Sequence, residues 1–388
     1  MNTLTRYNYL RNDVSDSDVT SLEISSQPEL WQQTWQSFLN QQSALKSFLS
    51  NVYNQDNLNV ILTGAGTSAF IGDALQGPFQ KHSGIPTRAI STTDLVTHPE
   101  LFLQKERPTL LISFARSGDS PESVAAVHLT NKLCSHAYNL IITCNSKGKL
   151  ASEKDETNTL VFLLPEETND KGLAMTSSFT SMLLSGVLIS RINKPDGLKD
   201  QVLRMIFYGE NVLKNYTDKL LEVAKMDFKR VVFLGSGPLK GTATESHLKV
   251  QELTDGKVIC KDDSFLGFRH GPKAVIDKST IIVYLFSHDA HVELYENDLM
   301  NEVHSQDLAM YSIGIMEKPR ENECLNLSIE MGSGQKMLDE DFLAVCSVLP
   351  AQILAYYKSV DLGLNPDNPS ASGAISRVVK GVKIYSYQ

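Results

Sequence analysis

Two doubly wound parallel-sheet lobes of the α/β class, preceded by an N-terminal helical arm, are the architecture this sequence predicts. Three observations carry the prediction. Short apolar runs pass into small polar loops and then into helical stretches, which is the pattern of βα units. The pattern occurs twice, with Gly64-Ala65-Gly66 and Gly235-Ser236-Gly237 about 170 residues apart, each after a candidate strand. At 388 residues the chain also exceeds the roughly 100–200 of one ordinary domain. The expected segments are an arm over 1–56, a first lobe over 57–195 and a second lobe with a C-terminal tail over 196–388. The joint falls near Lys194-Pro195-Asp196-Gly197, where turn formers interrupt two helices.

In chain order, the arm is justified by Pro28 to Leu49, where Leu30, Trp31, Trp35, Phe38, Leu39, Leu45 and Phe48 recur near helical spacing. Asn59–Leu62, Thr109–Ser113 and Leu140–Thr143 read as strands of the first lobe, each running into a turn rich in Gly, Ser or Asn. In the second lobe Arg230–Leu234, Ser279–Phe286 and Leu308–Ile315 read as strands. A helix follows Gly237 as far as Leu253, and Phe342–Tyr357 reads as an apolar helix.

Composition excludes several function classes. With 41% hydrophobic and 21% charged residues the chain is neither disordered nor fibrous. No continuous apolar run approaches the roughly 18 residues of a membrane span, and residues 1–16 lack the basic and apolar parts of a signal peptide. Lys+Arg 36 against Asp+Glu 45 leaves a net charge of −9 without clustered basic residues, so nucleic acid is not an expected partner. Cys134, Cys144, Cys260, Cys324 and Cys346 are odd in number and show no paired spacing. Reduced thiols in the cytoplasm are the corresponding expectation. An acidic chain that takes an anionic ligand must do so locally, with hydroxyls and helix N-termini.

Two loops of the first lobe suit that task. Gly64-Ala65-Gly66-Thr67-Ser68 offers permissive backbone and two hydroxyls where unpaired N–H groups face an anion. Ser117-Gly118-Asp119-Ser120 ends the next candidate strand, and in open α/β sheets ligands lie beyond the carboxyl ends of strands. Any parallel sheet needs Gly and Ser to turn into a helix, but two such loops in one lobe favour a phosphate monoester. A dinucleotide or Walker-type site is not indicated, since the third glycine and the Gly-Lys-Ser/Thr are missing.

The second lobe supplies the acid and base groups. Glu245, Lys249 and Glu252 fall at i, i+4 and i+7 of one helix and share a face. A solvated i,i+4 ion pair is the plain alternative. His270-Gly271-Pro272 follows within about twenty residues. A carboxylate can shuttle a proton between adjacent carbons and an imidazole can open a sugar ring, so the set suits aldose–ketose chemistry. The other histidines show no metal-like pairing, and neither a metal nor a cofactor is expected.

On these motifs the chain resembles the sugar isomerase (SIS) domain family in its double, flavodoxin-like form. The first lobe matches through Gly64–Ser68, through Ser113-Phe114-Ala115-Arg116-Ser117-Gly118-Asp119-Ser120 and through Thr143-Cys144-Asn145. The second matches through Glu245-Ser246-His247-Leu248-Lys249-Val250-Gln251-Glu252-Leu253 with His270-Gly271-Pro272, as in the isomerase half of glucosamine-6-phosphate synthase and its deaminase relatives. The resemblance implies Glu252 as proton shuttle and His270 as ring opener, often across a dimer interface. Glu245 and Lys249 assist, and Lys380 of Val379-Lys380-Gly381-Val382 reaches the substrate carbonyl. It further implies that Gly66, Thr67, Ser68, Ser117 and Ser120 hold the phosphate. Arg116 is added because Ala115 replaces a hydroxyl residue of the synthase.

What the resemblance implies overall is a deaminating isomerase in a homodimer or higher homo-oligomer, acting on a small sugar phosphate. Residues Met1-Asn2-Thr3 begin no glutaminase domain, so deamination of galactosamine 6-phosphate to tagatose 6-phosphate and ammonium is expected rather than synthesis. Simple tagatose-6-phosphate isomerisation and glucosamine-6-phosphate deamination are the near alternatives. A non-catalytic sugar-phosphate sensor is the alternative of a different class. For a transcriptional sensor the first 56 residues carry too few basic side chains.

Overall fold

A computed structural model describes residues 9, 10, 19–152, 158–320, 324–332, 334, 336–379 and 381–387. They form two compact units. One consists of Glu29–Asp170, Ser177–Lys199 and Ile375–Gln388, and the other of Met1–Pro28, Lys171–Thr176 and Asp200–Ala374. The arm is helical as the apolar spacing requires, in α1 (Val19–Ser25) and α2 (Gln27–Tyr53).

The unit that holds the first lobe is built from β1 (Asn59–Thr63), α3 (Thr67–Ser83), β2 (Thr87–Ala89), α4 (Thr92–Thr97), β3 (Thr109–Ala115), α5 (Pro121–Leu133), β4 (Ala137–Thr143), α6 (Lys149–Ser152), β5 (Thr159–Leu163) and α7 (Ser177–Ser190). All strands pair in parallel in the order β2-β1-β3-β4-β5. Period-two alternation divides the side chains between two faces. Ile61, Leu111 and Ile141 pack with Leu95 and Ala126 of α4 and α5. On the opposite face α7 contributes 14 residues that are all buried. The Asp170 carboxylate caps α7, accepting from the Ser177 and Ser178 amides at 3.2 and 2.9 Å and from both hydroxyls. Trp31 of α2 donates its buried indole N–H to Thr180 Oγ1 at 2.9 Å.

The other unit repeats the plan. Its elements are α8 (Leu198–Asn215), which begins just before it, then α9 (Thr217–Ala224), β6 (Arg230–Leu234), α10 (Pro238–Leu253), β7 (Ile259–Asp263), α11 (Phe265–Phe268), β8 (Thr280–Leu285), α12 (Ala290–Ser305), β9 (Tyr311–Met316), β10 (Leu327–Glu330), α13 (Glu340–Cys346) and α14 (Leu349–Asp361). The parallel order β7-β6-β8-β9-β10 is the first sheet's order again. Val232, Leu234, Ile282 and Tyr284 meet Phe265, Phe268 and Leu299 on one face, and α10 lies beside α14.

The single apolar helix expected over Phe342–Tyr357 is two helices. Pro350, at the start of α14, has no N–H to continue the ladder, and the break falls at Ser347–Val348. Taken together, Glu340–Asp361 is long and apolar enough to cross a membrane, yet 94% of its apolar window is buried inside the protein. By burial it is a broken core helix of the second lobe.

Candidate active site

The first sheet reverses its winding between β1 and β3, and the loops leaving those two strands line the crevice there. In the first loop Gly64 is forced by crowding, since a Cβ would stand 2.4 Å from the Ser68 backbone. Gly66 adopts φ 55° at the N-cap of α3, a conformation that side chains resist. Thr67 and Ser68 follow it, both buried, in the first turn of α3.

The second loop is held by the third. Asn145 donates to the Ser117 carbonyl at 2.8 Å, the Leu150 amide to the Gly118 carbonyl at 3.1 Å, and the Lys149 amide to Asp119 Oδ1 at 3.0 Å. Ser120 is the N-cap of α5 but makes no capping bond with its side chain, so its hydroxyl remains available to a ligand. Arg116 is buried, and its Nη2 donates to the Arg377 carbonyl in the C-terminal segment. All six candidate anion-binding residues thus sit on the two loops at the switch point.

Sequence reading passed over two residues there. Register pairs Thr63 with Ser113 at the carboxyl ends of β1 and β3. Both hydroxyls are buried, and among the described residues neither has a hydrogen-bond partner. A hydroxyl residue closing an otherwise aliphatic strand was the available signal, because such a group inside a sheet costs free energy unless something pairs with it.

The repeated turn of the second lobe is differently equipped. Gly237 has φ 54° and ψ −129°, against 55° and −129° at Gly66, so the backbones match. Pro238 and Leu239 stand where Thr67 and Ser68 stand, which removes one N–H and both hydroxyls. Glu340 Oε2 lies 3.9 Å from the position of a Gly237 Cβ, and Ser287 Oγ donates to the same carboxylate. The crevice of this sheet is lined by ion pairs instead. Glu296, pushed up to about 7 by burial although Arg320 pulls it down, meets Arg320 at 2.7 Å, and His288 Nδ1 meets Glu317 at 2.7 Å. A carboxylate thus stands beside the second turn, where the first turn carries hydroxyls.

The acid and base stripe lies elsewhere on α10. At 1.5 Å per residue, Glu245 is about 12 Å and Glu252 about 22 Å along the helix from Gly237, far from that lobe's own crevice. Lys249 is fully buried, with Nζ 2.6 Å from Glu252 Oε2 and 3.3 Å from Glu245 Oε1. Glu245 is also fully buried, whereas the Glu252 side chain is 23% exposed and is the member open to solvent. Burial disfavours the Lys249 charge, but the two carboxylates outweigh it and hold the ammonium above the usual lysine range. The plain reading of a solvated ion pair is therefore overturned for Glu245 and Lys249.

His270 stands exposed in the turn after α11, its amide bonded to the Gly267 carbonyl at 3.0 Å. Among the described residues its imidazole pairs with none of the carboxylates. Nearby on β7, Asp262 accepts from Lys240 at 2.6 Å and Thr244 at 2.8 Å and faces His247 Nδ1 at 3.2 Å. Burial lowers the pKa of His247 in spite of Asp262. Lys380 lies outside the described residues.

Residues 53–190 match the SIS domain family. The chain is 41% identical over 375 residues to D-galactosamine-6-phosphate deaminase AgaS of Shewanella sp. (strain ANA-3), covering 95% of this chain and 92% of that protein. It is 40% identical over 374 residues to the protein of the same name in Escherichia coli O157:H7, covering 95% and 96%. Among solved structures, tagatose-6-phosphate ketose/aldose isomerase from Escherichia coli superposes with a TM-score of 0.87 at 36% identity, over 96% of this chain and 98% of that one. With two sheets of the same winding and full-length relatives of this kind, the chain belongs to the SIS domain family.

Proposed function

We propose that this protein is a deaminating aldose–ketose isomerase that converts D-galactosamine 6-phosphate and water to D-tagatose 6-phosphate and ammonium. The observation that carries the reading is the Glu245–Lys249–Glu252 stripe, a lysine buried between two carboxylates of which only Glu252 reaches solvent. Burying such charges is costly, and a surface ion pair would serve stability as well, so the arrangement suits chemistry better than scaffolding. The 41% identity to a protein named D-galactosamine-6-phosphate deaminase supports the substrate.

In this reading Thr67, Ser68, Ser117 and Ser120 take the phosphate with the N-termini of α3 and α5, and Arg116 adds charge. His270 opens the ring, and Lys380 approaches the carbonyl. Glu252 removes the C2 proton and returns it to C1. The resulting imine at C2 adds water, and its C–N bond breaks to leave the ketose and ammonium. Lys249 fixes the Glu252 carboxylate in place. The same reading takes the enzyme as a cytoplasmic homodimer or higher homo-oligomer.

The test is Glu252→Gln, which keeps the shape and removes the base. Ammonium release should fall by roughly a thousandfold or more with the melting temperature and inorganic phosphate binding unchanged. Retained turnover would sink the assignment. A second reading, isomerisation without ammonia, is favoured by the name of the superposed tagatose-6-phosphate ketose/aldose isomerase. Parallel incubation with galactosamine 6-phosphate, glucosamine 6-phosphate and tagatose 6-phosphate separates the three substrates.

A further inference from the structure

His270 stands between two short turns joined at a glycine. The first is α11, whose Phe265 and Phe268 share a core cluster with Leu299, Met300 and Val303 of α12. The His270 amide closes it on the Gly267 carbonyl at 3.0 Å. The second is a 3-10 turn over Pro272–Val275, closed by the Ala274 amide on the Gly271 carbonyl at 3.0 Å. Gly271 joins the two at φ 119°, a conformation that side chains resist, and Pro272 has no N–H to bridge the joint. The exposed His270 imidazole meets no carboxylate among the described residues, so its direction follows from how the joint is set.

Two cations bracket that joint, Arg269 just before His270 and Lys273 three residues after it. Both reach Glu302 of α12, and each takes one oxygen: Arg269 Nη2 donates to Oε2 and Lys273 Nζ to Oε1. Lys273 Nζ also reaches Gln306 Oε1, one turn further along α12, at 3.4 Å. Glu302 is therefore a bridge that closes a ring across the glycine joint. Its support is firm, since α12 is a 16-residue helix capped by Asp289, with Leu299, Met300 and Val303 buried. The hydrogen bond from Lys273, with that from Arg269, holds the Glu302 carboxyl below the ordinary glutamate range against burial, so the bridge stays charged at neutral pH.

We propose that Glu302 is a positioning residue that holds Arg269 and Lys273 together across the Gly271 joint and so presents the His270 imidazole for sugar-ring opening, an inference that rests on the reading of His270 as ring opener. Glu302 acts through His270 and touches no reacting atom. Half-exposed ion pairs add little to stability, whereas a displacement of about 1 Å in a reacting group can cost roughly a hundredfold in rate. The bridge should thus matter far more to turnover than to melting.

The experiment is a double-mutant cycle in the full chain, read as ammonium release from galactosamine 6-phosphate, with Glu302→Gln and His270→Ala made singly and together. Glu302→Gln should lower kcat roughly 10- to 100-fold and leave KM and the melting temperature unchanged. In the His270→Ala background it should cost nothing more, because the remaining turnover draws on sugar that opens its ring unaided. Amide exchange over residues 269–276 should quicken in Glu302→Gln while peptides from α10 stay as they were. Arg269→Gln with Lys273→Gln removes the same bridge from the other side and should reproduce the pattern if Glu302→Gln folds poorly. Lys278→Gln is the control: it breaks an exposed ion pair to Asp307, at 2.9 Å, between the segments that follow the turn and α12, and should leave kcat at the wild-type value.

Wild-type kcat in Glu302→Gln, or an equal loss with and without His270, overturns the inference and leaves the proposed reaction standing. Unaltered exchange over residues 269–276 overturns it too, whatever the turnover. A His270→Ala variant as active as the wild type overturns the role of His270 and the inference with it. A wild type that releases no ammonium overturns the proposed reaction itself.

Discussion

Replacing Lys249 with methionine is the sharpest probe of the buried stripe. The change keeps the side chain's length and apolar stem and removes one positive charge from a site with no solvent access. Glu252 can turn to water, but Glu245 is fully buried and its nearest cation is gone. Removing one partner from a buried charge pair costs about 3–5 kcal/mol, because the remaining charge is stranded. For a lobe of this size that is a fall of roughly 6–20 °C in melting temperature.

The pH dependence has a definite sign. In the variant, a buried Glu245 that has lost the Lys249 ammonium should have a folded-state pKa raised above its unfolded value near 4.3. The deficit is therefore full at pH 8 and shrinks as the pH falls toward 5 and the carboxyl takes up a proton. In the wild type it is the Lys249 pKa that is raised, so its contribution is fully present below about pH 10.5 and is lost only as the pH climbs through the higher folded value. Calorimetry of wild type, Lys249→Met and the double variant Lys249→Met/Glu245→Gln at pH 5 and pH 8 tests the argument. The double variant should recover most of the loss. A single variant as stable as wild type, a deficit equal at both pH values, or a double variant no better than the single would refute it.

Two further outcomes are expected. The Glu317 carboxylate beside His288 raises the imidazole pKa against burial, so this pair's stabilisation is complete below about pH 6.5 and is lost as the pH rises through the folded value. His288→Gln should thus lower the melting temperature more at pH 6 than at pH 9, by an amount corresponding to about 1 kcal/mol, and an equal loss at both would count against it. Asp170→Ala removes the whole cap of α7 and should cost about 3 kcal/mol in chemical denaturation, with Asp170→Asn recovering part; a loss under about 1 kcal/mol would mean the cap is redundant.

What could be read from the sequence follows a physical division. The six strands that sequence reading identifies, β1, β3, β4, β6, β8 and β9, are all interior strands, covered on both faces and therefore continuously apolar. The four it omits, β2, β5, β7 and β10, are the four sheet edges. At the edge a strand such as Ile259–Asp263 carries Lys261, Asp262 and Asp263 and is only partly buried, so no apolar run announces it.

The candidate site divides in a similar way. Glycine turns and the i, i+4, i+7 stripe are local patterns and are visible in the chain. That Glu340 stands beside the second glycine turn, that Thr63 and Ser113 are neighbours, and that Arg377 meets Arg116 are long-range facts that no periodicity encodes. Burial of Lys249 is of the same kind: spacing puts it on a face, and only the tertiary packing about α10 decides that the face is dry.

The two matching glycine turns have a consequence for how substrate dependence should look. Duplicated lobes with two working cradles could hold two phosphates per chain and let the first influence the second. Here one copy has exchanged its donors for Pro238 and Leu239 and set the Glu340 carboxylate where an anion would come. On the proposed reading of the first-lobe loops, a single chain should saturate hyperbolically, with one equivalent of ligand. Any sigmoidal response would have to be communicated between chains, whatever symmetry the lobes retain in their backbones.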